Sequence, residues 1–261
     1  MLTFGSLFAG IGGFDLGFER AGMTCKWQVE IDRYCQDILA RHWPDVPKHR
    51  DIRTCGDSLE TVDLVCGGDP CPSRSLAKGN RESKHPDLSG YFLAVVARHR
   101  PRWVVRENVP APDVIEFAAC LELLGYGVVA FALDARDFTG QSRRRQFLVG
   151  CPPHMRSQFQ RVVFDASDGL GFVASGQCEE TPIAACLTAH PARMAAEDTY
   201  CYEDGRGLRM LDPTECEPLQ GFPRDWTAGF SRSRRRIMLG NAVNVGCAEW
   251  IGKRTLEAIP P

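Results

Sequence analysis

Leu2-Thr3-Phe4-Gly5-Ser6-Leu7-Phe8-Ala9-Gly10-Ile11-Gly12-Gly13-Phe14-Asp15 lies near the amino terminus, and its reading decides the fold. The apolar run from Leu2 to Phe8 predicts a short strand, and the glycines after it predict a tight turn. Residues 14–22 then read as a helix, with Phe14, Phe18 and Ala21 on one side and Gly22 as a stop. Glycines at a strand–helix turn let the backbone come close to a ligand, and the helix N-terminus adds the positive end of a dipole. The spacing is G-x-G-G rather than the full G-x-G-x-x-G dinucleotide fingerprint.

The same alternation continues outward. Residues 24–31 read as a strand, and Asp32 caps a helix that runs to about Trp43, before Pro44. Val62–Cys66 is a strand. Leu88, Tyr91, Phe92, Val95, Val96 and His99 fall on one helical face. Trp103–Val105 is a strand, and Val114, Phe117, Ala118, Leu121 and Leu124 repeat the helical spacing. Val128–Leu133 and Gln146–Val149 are further strands. Strands alternating with such helices predict an α/β fold with a doubly wound, mostly parallel sheet. Ligands in such sheets bind beyond the carboxyl ends of the strands. After Pro152 the rhythm breaks. Residues 152 to about 208 read as irregular, 213–220 as a short helix opened by Pro213, and 242–258 as a last helix. The expected division is a large unit of residues 1–151 plus 238–261, with a small irregular unit of 152–237.

Composition sets the limits. With 44% hydrophobic and 25% charged residues among 261, the chain is of ordinary globular composition. No apolar run reaches the ~20 residues of a membrane helix, and the first residues lack a secretory signal, so a cytoplasmic protein is expected. Twelve cysteines include no Cys-x-x-Cys pair, which disfavours a zinc ribbon or thioredoxin-like site; no metal site is expected. Most of them should be free buried thiols. The net charge of -2 gives no global sign of nucleic acid. Arginines cluster, however, at 143–145 and 232–236, and a local basic face can coexist with a neutral total.

Candidate chemistry sits at the strand ends. Glu30, 18 residues past Gly12, ends the second strand, where an acid can hold ribose hydroxyls, so an adenosine-type ligand is suggested. Asp51, before Ile52, either accepts from an adenine amine or is a surface-turn aspartate. Pro70-Cys71-Pro72 follows the fourth strand directly. Its thiol is either a nucleophile, given nearby positive charge, or a structural cysteine in a tight loop. The polar loop to Pro86, with Ser75, Lys78, Arg81 and Lys84, is either a lid that touches phosphates or a solvated loop. Glu107 ends the fifth strand and would face Cys71 across the crevice. In Gln141-Ser142-Arg143-Arg144-Arg145, alternation sends Arg143 and Arg145 to one face.

Taken in order, these residues resemble the C5-cytosine DNA methyltransferases. The resemblance rests on Phe8 to Gly13, Pro70-Cys71, Glu107-Asn108-Val109, Gln141-x-Arg143-x-Arg145, Leu211 to Pro223, and Gly240-Asn241-Ala242-Val243. Six motifs in order are specific, although each alone is weak. The resemblance implies double-stranded DNA as substrate and S-adenosylmethionine as methyl donor, leaving as S-adenosylhomocysteine. It implies a large catalytic, donor-binding domain of the Rossmann-like methyltransferase type and a small target-recognition domain. Cys71 would attack C6 of a flipped-out cytosine, Glu107 would bond N3 and the exocyclic amine, and Asn108 would fix the loop. Arg145 would donate to the base O2, with Arg143 beside it. Phe8, Ala9, Gly10, Ile11, Gly12, Gly13, Glu30, Ile31, Asp51, Ile52, Asn241 and Val243 would surround the donor. Ser75, Lys78, Arg81, Gln141, Arg193 and Arg235 are the expected DNA contacts, with His190 and Arg206 as further candidates. A monomer is expected, with a cognate restriction endonuclease as a possible partner. An RNA cytosine-5 methyltransferase, a non-catalytic DNA-binding relative and a NAD-dependent oxidoreductase are the alternatives. The intact set of Cys71, Glu107 and Arg145 argues against the non-catalytic relative, and Pro-Cys and Glu-Asn-Val have no job in a NAD-dependent oxidoreductase.

The sequence departs from the family pattern in three places. Asp69 replaces an aromatic residue before Pro-Cys, Pro72 replaces a glutamine after it, and Arg106 replaces an apolar residue before Glu-Asn-Val. Asp69 and Arg106 are expected at the ends of neighbouring strands, joined in a salt bridge. In a second version, Arg106 faces the donor and accommodates an anionic group on it. The variable stretch between Gly150 and Arg209 is also short for a segment that reads DNA.

Overall fold

A computed structural model describes residues 1–70, 87–110, 113–164, 186–187, 201–203 and 208–260. Cys71, Pro72, Ser75, Lys78, Arg81, His190, Arg193 and Arg206 therefore lie outside the described residues.

The strands are β1 (Thr3–Leu7), β2 (Thr24–Val29), β3 (Lys48–His49), β4 (Leu64–Gly67), β5 (Trp103–Asn108), β6 (Gly127–Asp134) and β7 (Arg144–Cys151). They form one sheet in the order β3-β2-β1-β4-β5-β7-β6. The first five pair in parallel, and β7 runs antiparallel to both β5 and β6. The reversal has a local cause. Only a short connection separates Asp134 from its register partner Arg144, too short for a parallel crossover. The Asp134 carboxylate closes that connection by accepting from the backbone N–H groups of Arg136 (3.1 Å) and Arg143 (2.7 Å). The fold class is thus the expected one.

Ten helices are assigned among the described residues. α1 (Gly13–Arg20) and α10 (Val245–Glu257) pack on one face of the sheet, and α4 (Ser89–His99) and α5 (Asp113–Leu123) cover the other. The alternation of β5 shows the two faces: Trp103 and Val105 join the first core, Val104 the second. α2 (Arg33–His42) starts at Asp32, whose side chain accepts from the N–H groups of Tyr34 and Cys35, as the sequence predicts. A third core joins α2 to α8 (Pro213–Leu219) and α9 (Arg232–Asn241), through Ile38, Leu39, Trp226 and Leu239. α3 (Ile52–Cys55) and α6 (Arg136–Thr139) are single turns. β8 (Cys201–Glu203) and β9 (Leu208–Met210) form a separate hairpin.

One expectation is corrected. Residues 152–164 are not irregular: a 3-10 turn, Pro153–Met155, leads into α7 (Arg156–Phe164). Met155, Phe159 and Val163 enter the first core, and the Phe159 ring lies 5.4 Å from that of Trp103. The basic cluster Arg232–Arg236 forms the start of α9, opened by the Ser231 cap. No helix among the described residues is long and apolar enough to cross a membrane.

Cys25, Cys35, Cys55, Cys66, Cys120, Cys151, Cys186, Cys216 and Cys247 are free. Burial raises the thiol pKa of Cys25, Cys35, Cys66 and Cys247, and raises those of Cys151 and Cys216 to about 11. These thiols stay protonated at neutral pH and pack as small apolar groups.

Candidate active site

The sheet order changes direction at β1, between β2 and β4, so the ends of β1, β2, β4 and β5 open on one crevice. The turn after β1 is held in unusual backbone conformations. Phe8, Gly10 and Gly12 all have positive φ, at 52°, 57° and 87°. Gly12 is required for space as well: a Cβ there would lie 2.5 Å from the Trp43 ring. A Cβ at Gly13 would lie 2.3 Å from the Val243 carbonyl, so the turn and the 240–243 segment touch backbone to backbone. Gly10, by contrast, faces open space, its nearest atom being 4.0 Å away.

Glu30 sits under this turn. Its carboxylate accepts from Gly10 N–H (2.7 Å) and Asp32 N–H (2.8 Å), and burial raises its pKa. Ile31 beside it is 56% exposed, an apolar side chain facing outward next to a ribose-type acid. Phe8 is half-buried and stacks on Phe92 with centroids 6.5 Å apart. Ile52 is buried. Asp51 caps α3 through Arg53 N–H, and its carboxylate also binds the Arg53 guanidinium, which lowers its pKa to about 2. Asn241 is exposed at the end of α9.

Across the crevice, Gly67 of β4 pairs with Arg106 of β5. A Cβ at Gly68 would stand 2.9 Å from Glu107 Oε2, so the two strand ends run in contact at Gly68 and Asp69, and the described residues stop at Pro70, before Cys71. The Glu107 carboxylate is 12% exposed and lies 3.2 Å from Arg145 Nε. Burial raises its pKa, and the guanidinium groups of Arg145 and then Arg143 oppose that rise. Asn108 is buried; it donates to Asp69 O (3.3 Å) and accepts from Val109 N–H (2.8 Å).

The expected salt bridge is present. Arg106 donates through Nε (2.5 Å) and a terminal nitrogen (2.8 Å) to the two oxygens of Asp69, and also to Asp113 (2.8 Å). Two carboxylates match the one guanidinium, which is itself buried over the Phe117 ring. The version in which Arg106 faces the donor is therefore set aside.

Three other expected contacts are occupied within the protein. Gln141 is buried; its amide nitrogen donates to Leu219 O and its oxygen accepts from Leu187 N–H. Buried Arg143 donates to Leu187 O (2.8 Å), Gly240 O (3.0 Å) and Ala242 O (3.0 Å). Arg235 donates to Thr227 Oγ1 and to the fully buried Glu217 carboxylate, both at 2.8 Å. In this structure Gln141 and Arg235 face protein groups where DNA contacts were expected, and Arg143 braces backbone rather than opening to the crevice. Arg145 alone of the Gln-x-Arg-x-Arg run reaches Glu107.

Sequence reading missed Trp226. Its indole N–H bonds Ile11 O, its ring stacks on His42 at 3.4 Å, and it packs edge-on to Trp43. No spacing rule marks it; it stands three residues after the Gly221-Phe222-Pro223 turn.

The profile of the family described as C-5 cytosine-specific DNA methylase matches residues 2–169 and 179–257. Type II methyltransferase M.DsaV of Dactylococcopsis salina is 27% identical, over 99% of this chain and 87% of that relative. Type II methyltransferase M.HhaI of Haemophilus parahaemolyticus is 24% identical, over 96% and 93%. A triple mutant of Spodoptera frugiperda DNMT2 superimposes with a TM-score of 0.70 at 14% identity, covering 99% of both chains. A putative DNA modification methyltransferase from an Escherichia coli prophage gives 0.67 at 18% identity, covering 98% and 99%. At these identities the structural likenesses establish the fold.

Proposed function

The chain belongs to the C-5 cytosine-specific DNA methylases and is a DNA (cytosine-5-)-methyltransferase, and on that premise we propose how its residues divide the work. The observation that carries the proposal is the mostly enclosed Glu107 carboxyl, its pKa raised by desolvation, in contact with Arg145 and with the strand end that leads to Cys71.

S-adenosylmethionine fits the turn after β1. The open space before Gly10, the outward-facing Ile31, the half-exposed Phe8 and the Glu30 carboxylate suit an adenosine with its ribose. Glu30 retains lone pairs for ribose hydroxyls beyond its two backbone bonds. Ile52, Asp51, Asn241 and Val243 complete the surround. When bound, the donor supplies an electrophilic methyl group on a sulfonium.

Cytosine C5 is a poor nucleophile. Attack of the Cys71 thiolate on C6 forms an S–C6 bond and makes C5 enamine-like. Glu107 donates its proton to N3 as negative charge develops, and accepts from the exocyclic amine. Arg145 donates to O2 of the base. Once C5 carries the methyl, its proton leaves to solvent, the S–C6 bond breaks, and N3 returns its proton to Glu107. None of this is possible inside a stacked duplex, so the base is flipped out. Gln141 and Arg143 act indirectly, by holding the 240–242 segment and the Leu187 backbone in place.

The large domain comprises the sheet, α7 and the returning α10, and the recognition part is narrowed to the stretch between α7 and β9. The chain acts as a cytoplasmic monomer beside a cognate restriction endonuclease. The test is incubation with tritiated donor and unmethylated duplex DNA, with transfer RNA as the competing substrate, followed by bisulfite sequencing. Label in duplex DNA is expected, and Cys71→Ser is expected to abolish it. Label confined to transfer RNA, or turnover by Cys71→Ser, would overturn the assignment.

A further inference from the structure

Both sequence neighbours of Glu107 grip the same residue. Arg106 holds the Asp69 carboxylate through two bonds, 2.5 and 2.8 Å, and Asn108 holds the Asp69 carbonyl at 3.3 Å. Asp69 is two residues before Cys71. Alternation puts Arg106 on the α4–α5 face, over Phe117, and Glu107 on the other face, toward Arg145. Arg106 therefore points away from Glu107 and Arg145.

Stability alone is a poor reason for this pair. The Arg106 and Asp69 side chains are 2% and 3% exposed, and desolvating such charges offsets most of their attraction. Apolar residues of similar volume commonly stabilise as well. What a guanidinium–carboxylate fork supplies instead is one defined orientation. Asp113, at the start of α5, takes a further Arg106 N–H at 2.8 Å and fixes the guanidinium from the far side.

We propose that the Arg106–Asp69 ion pair is a positioning device for methyl transfer, locking the end of β4, from which the chain runs into Cys71, against Glu107. The inference rests on the assignment of Cys71 and Glu107 as the reacting pair. Among the described residues, the charged and titratable groups that act on Glu107 are Arg145 from β7, Arg143 just before that strand, Asp69 from the end of β4, Arg106 on its own strand and the Cys247 thiol from α10. Of these, the Asp69 charge favours the proton on Glu107 and the arginines oppose it.

The test uses the full chain with saturating donor and duplex DNA. For Asp69→Asn and for Arg106→Lys the saturated rate should fall about tenfold or more, with KM for donor and DNA within about twofold. In Asp69→Asn the alkaline limb of the rate profile should also move to lower pH, since the charge favouring the Glu107 proton is gone. The paired apolar variant Asp69→Phe with Arg106→Met guards against simple misfolding. It should melt near the parent temperature yet remain about tenfold slow. A parental rate and pH profile in Asp69→Asn overturns the proposal, as does full rate in the apolar pair. Should Asp69→Asn fail to fold, Arg106→Lys and the apolar pair decide by the same criteria. Turnover by Cys71→Ser would instead overturn the underlying assignment. A dead Cys71→Ser beside a fully active Asp69→Asn overturns the positioning role alone.

Discussion

The indole Nε1 of Trp226 donates a hydrogen bond of 2.9 Å to the carbonyl of Ile11, joining residues 215 apart in sequence at the middle of the glycine turn. Trp43 fills the space where Gly12 has no Cβ, and Trp226 packs against Trp43. The turn proposed to hold the donor is thus backed by an aromatic platform from α2 and the 221–226 loop. Trp226→Phe keeps the ring packing but leaves a fully buried carbonyl without its donor, a loss of about 1–3 kcal/mol. Donor affinity should weaken by about tenfold, with DNA affinity little changed. Calorimetric titration checks both; equal weakening of the two would show that the platform does not act on the turn.

Arg143 makes the analogous brace on the other side of the crevice, donating to Leu187 O, Gly240 O and Ala242 O. Lysine carries one compact ammonium and cannot span three carbonyls in a plane. Arg143→Lys should cost about 2–4 kcal/mol in chemical denaturation and loosen the 240–243 segment that touches Gly13. Donor binding should suffer with it. A variant with an unchanged midpoint and donor affinity would return Arg143 to a role in contact with the base.

Asp15 is fully buried beneath the turn, accepting from Gln28 Nε2 (2.9 Å) and Ser6 Oγ (3.0 Å), with Cys25 Sγ at 3.5 Å. Desolvation outweighs these bonds and raises its pKa from 3.8 to about 6. The folded state therefore binds the proton more tightly than the unfolded state does. The stabilisation is complete below 3.8 and is lost as pH rises through about 6, at a cost near ~3 kcal/mol by neutrality. Asparagine at this site carries no charge, and its N–H can serve the buried Gln28 Oε1, which has no partner among the described residues. Asp15→Asn should gain on the parent between about pH 4 and 6 and hold a constant lead above about pH 7. Paired denaturation curves across that range check it; a difference independent of pH would refute the shifted carboxyl.

Much of the sheet is legible in sequence because apolar runs ending in glycine or a capping aspartate are local signals. Leu2–Phe8 became β1, and Asp32 became the cap of α2. The salt bridge between Asp69 and Arg106 is legible too, since parallel neighbours place their carboxyl ends side by side. The site is less legible where one residue has two ways to satisfy the same chemistry. Gln141, Arg143 and Arg235 have the composition of DNA contacts, but buried carbonyls and the Glu217 carboxylate satisfy their donors inside the fold. α9 was obscured by its four arginines, which hide a short apolar face of Met238 and Leu239. Trp226 could not be placed because its partner, Ile11, is remote in sequence.

α7 poses the sharpest test of the domain boundary. It follows Pro152, where the alternating rhythm ends, and with the preceding turn it carries the apolar triplet Met155, Phe159 and Val163 at four-residue spacing. That triplet is buried in the first core with Trp103, Val149 and Cys151, and Phe159 is fully enclosed. If α7 is part of the large domain, Phe159→Ala opens a cavity in the sheet's own core and should lower global stability by about 3–5 kcal/mol. If α7 belonged to a separate recognition unit, the loss would appear as an early, partial transition while the sheet melted at its usual midpoint. Urea denaturation followed by far-UV circular dichroism separates the two outcomes, with the 88% exposed Leu123 as control. Leu123→Ala should change stability by no more than about 0.5 kcal/mol, so a comparable shift in both variants would count against the packing of α7 on the sheet.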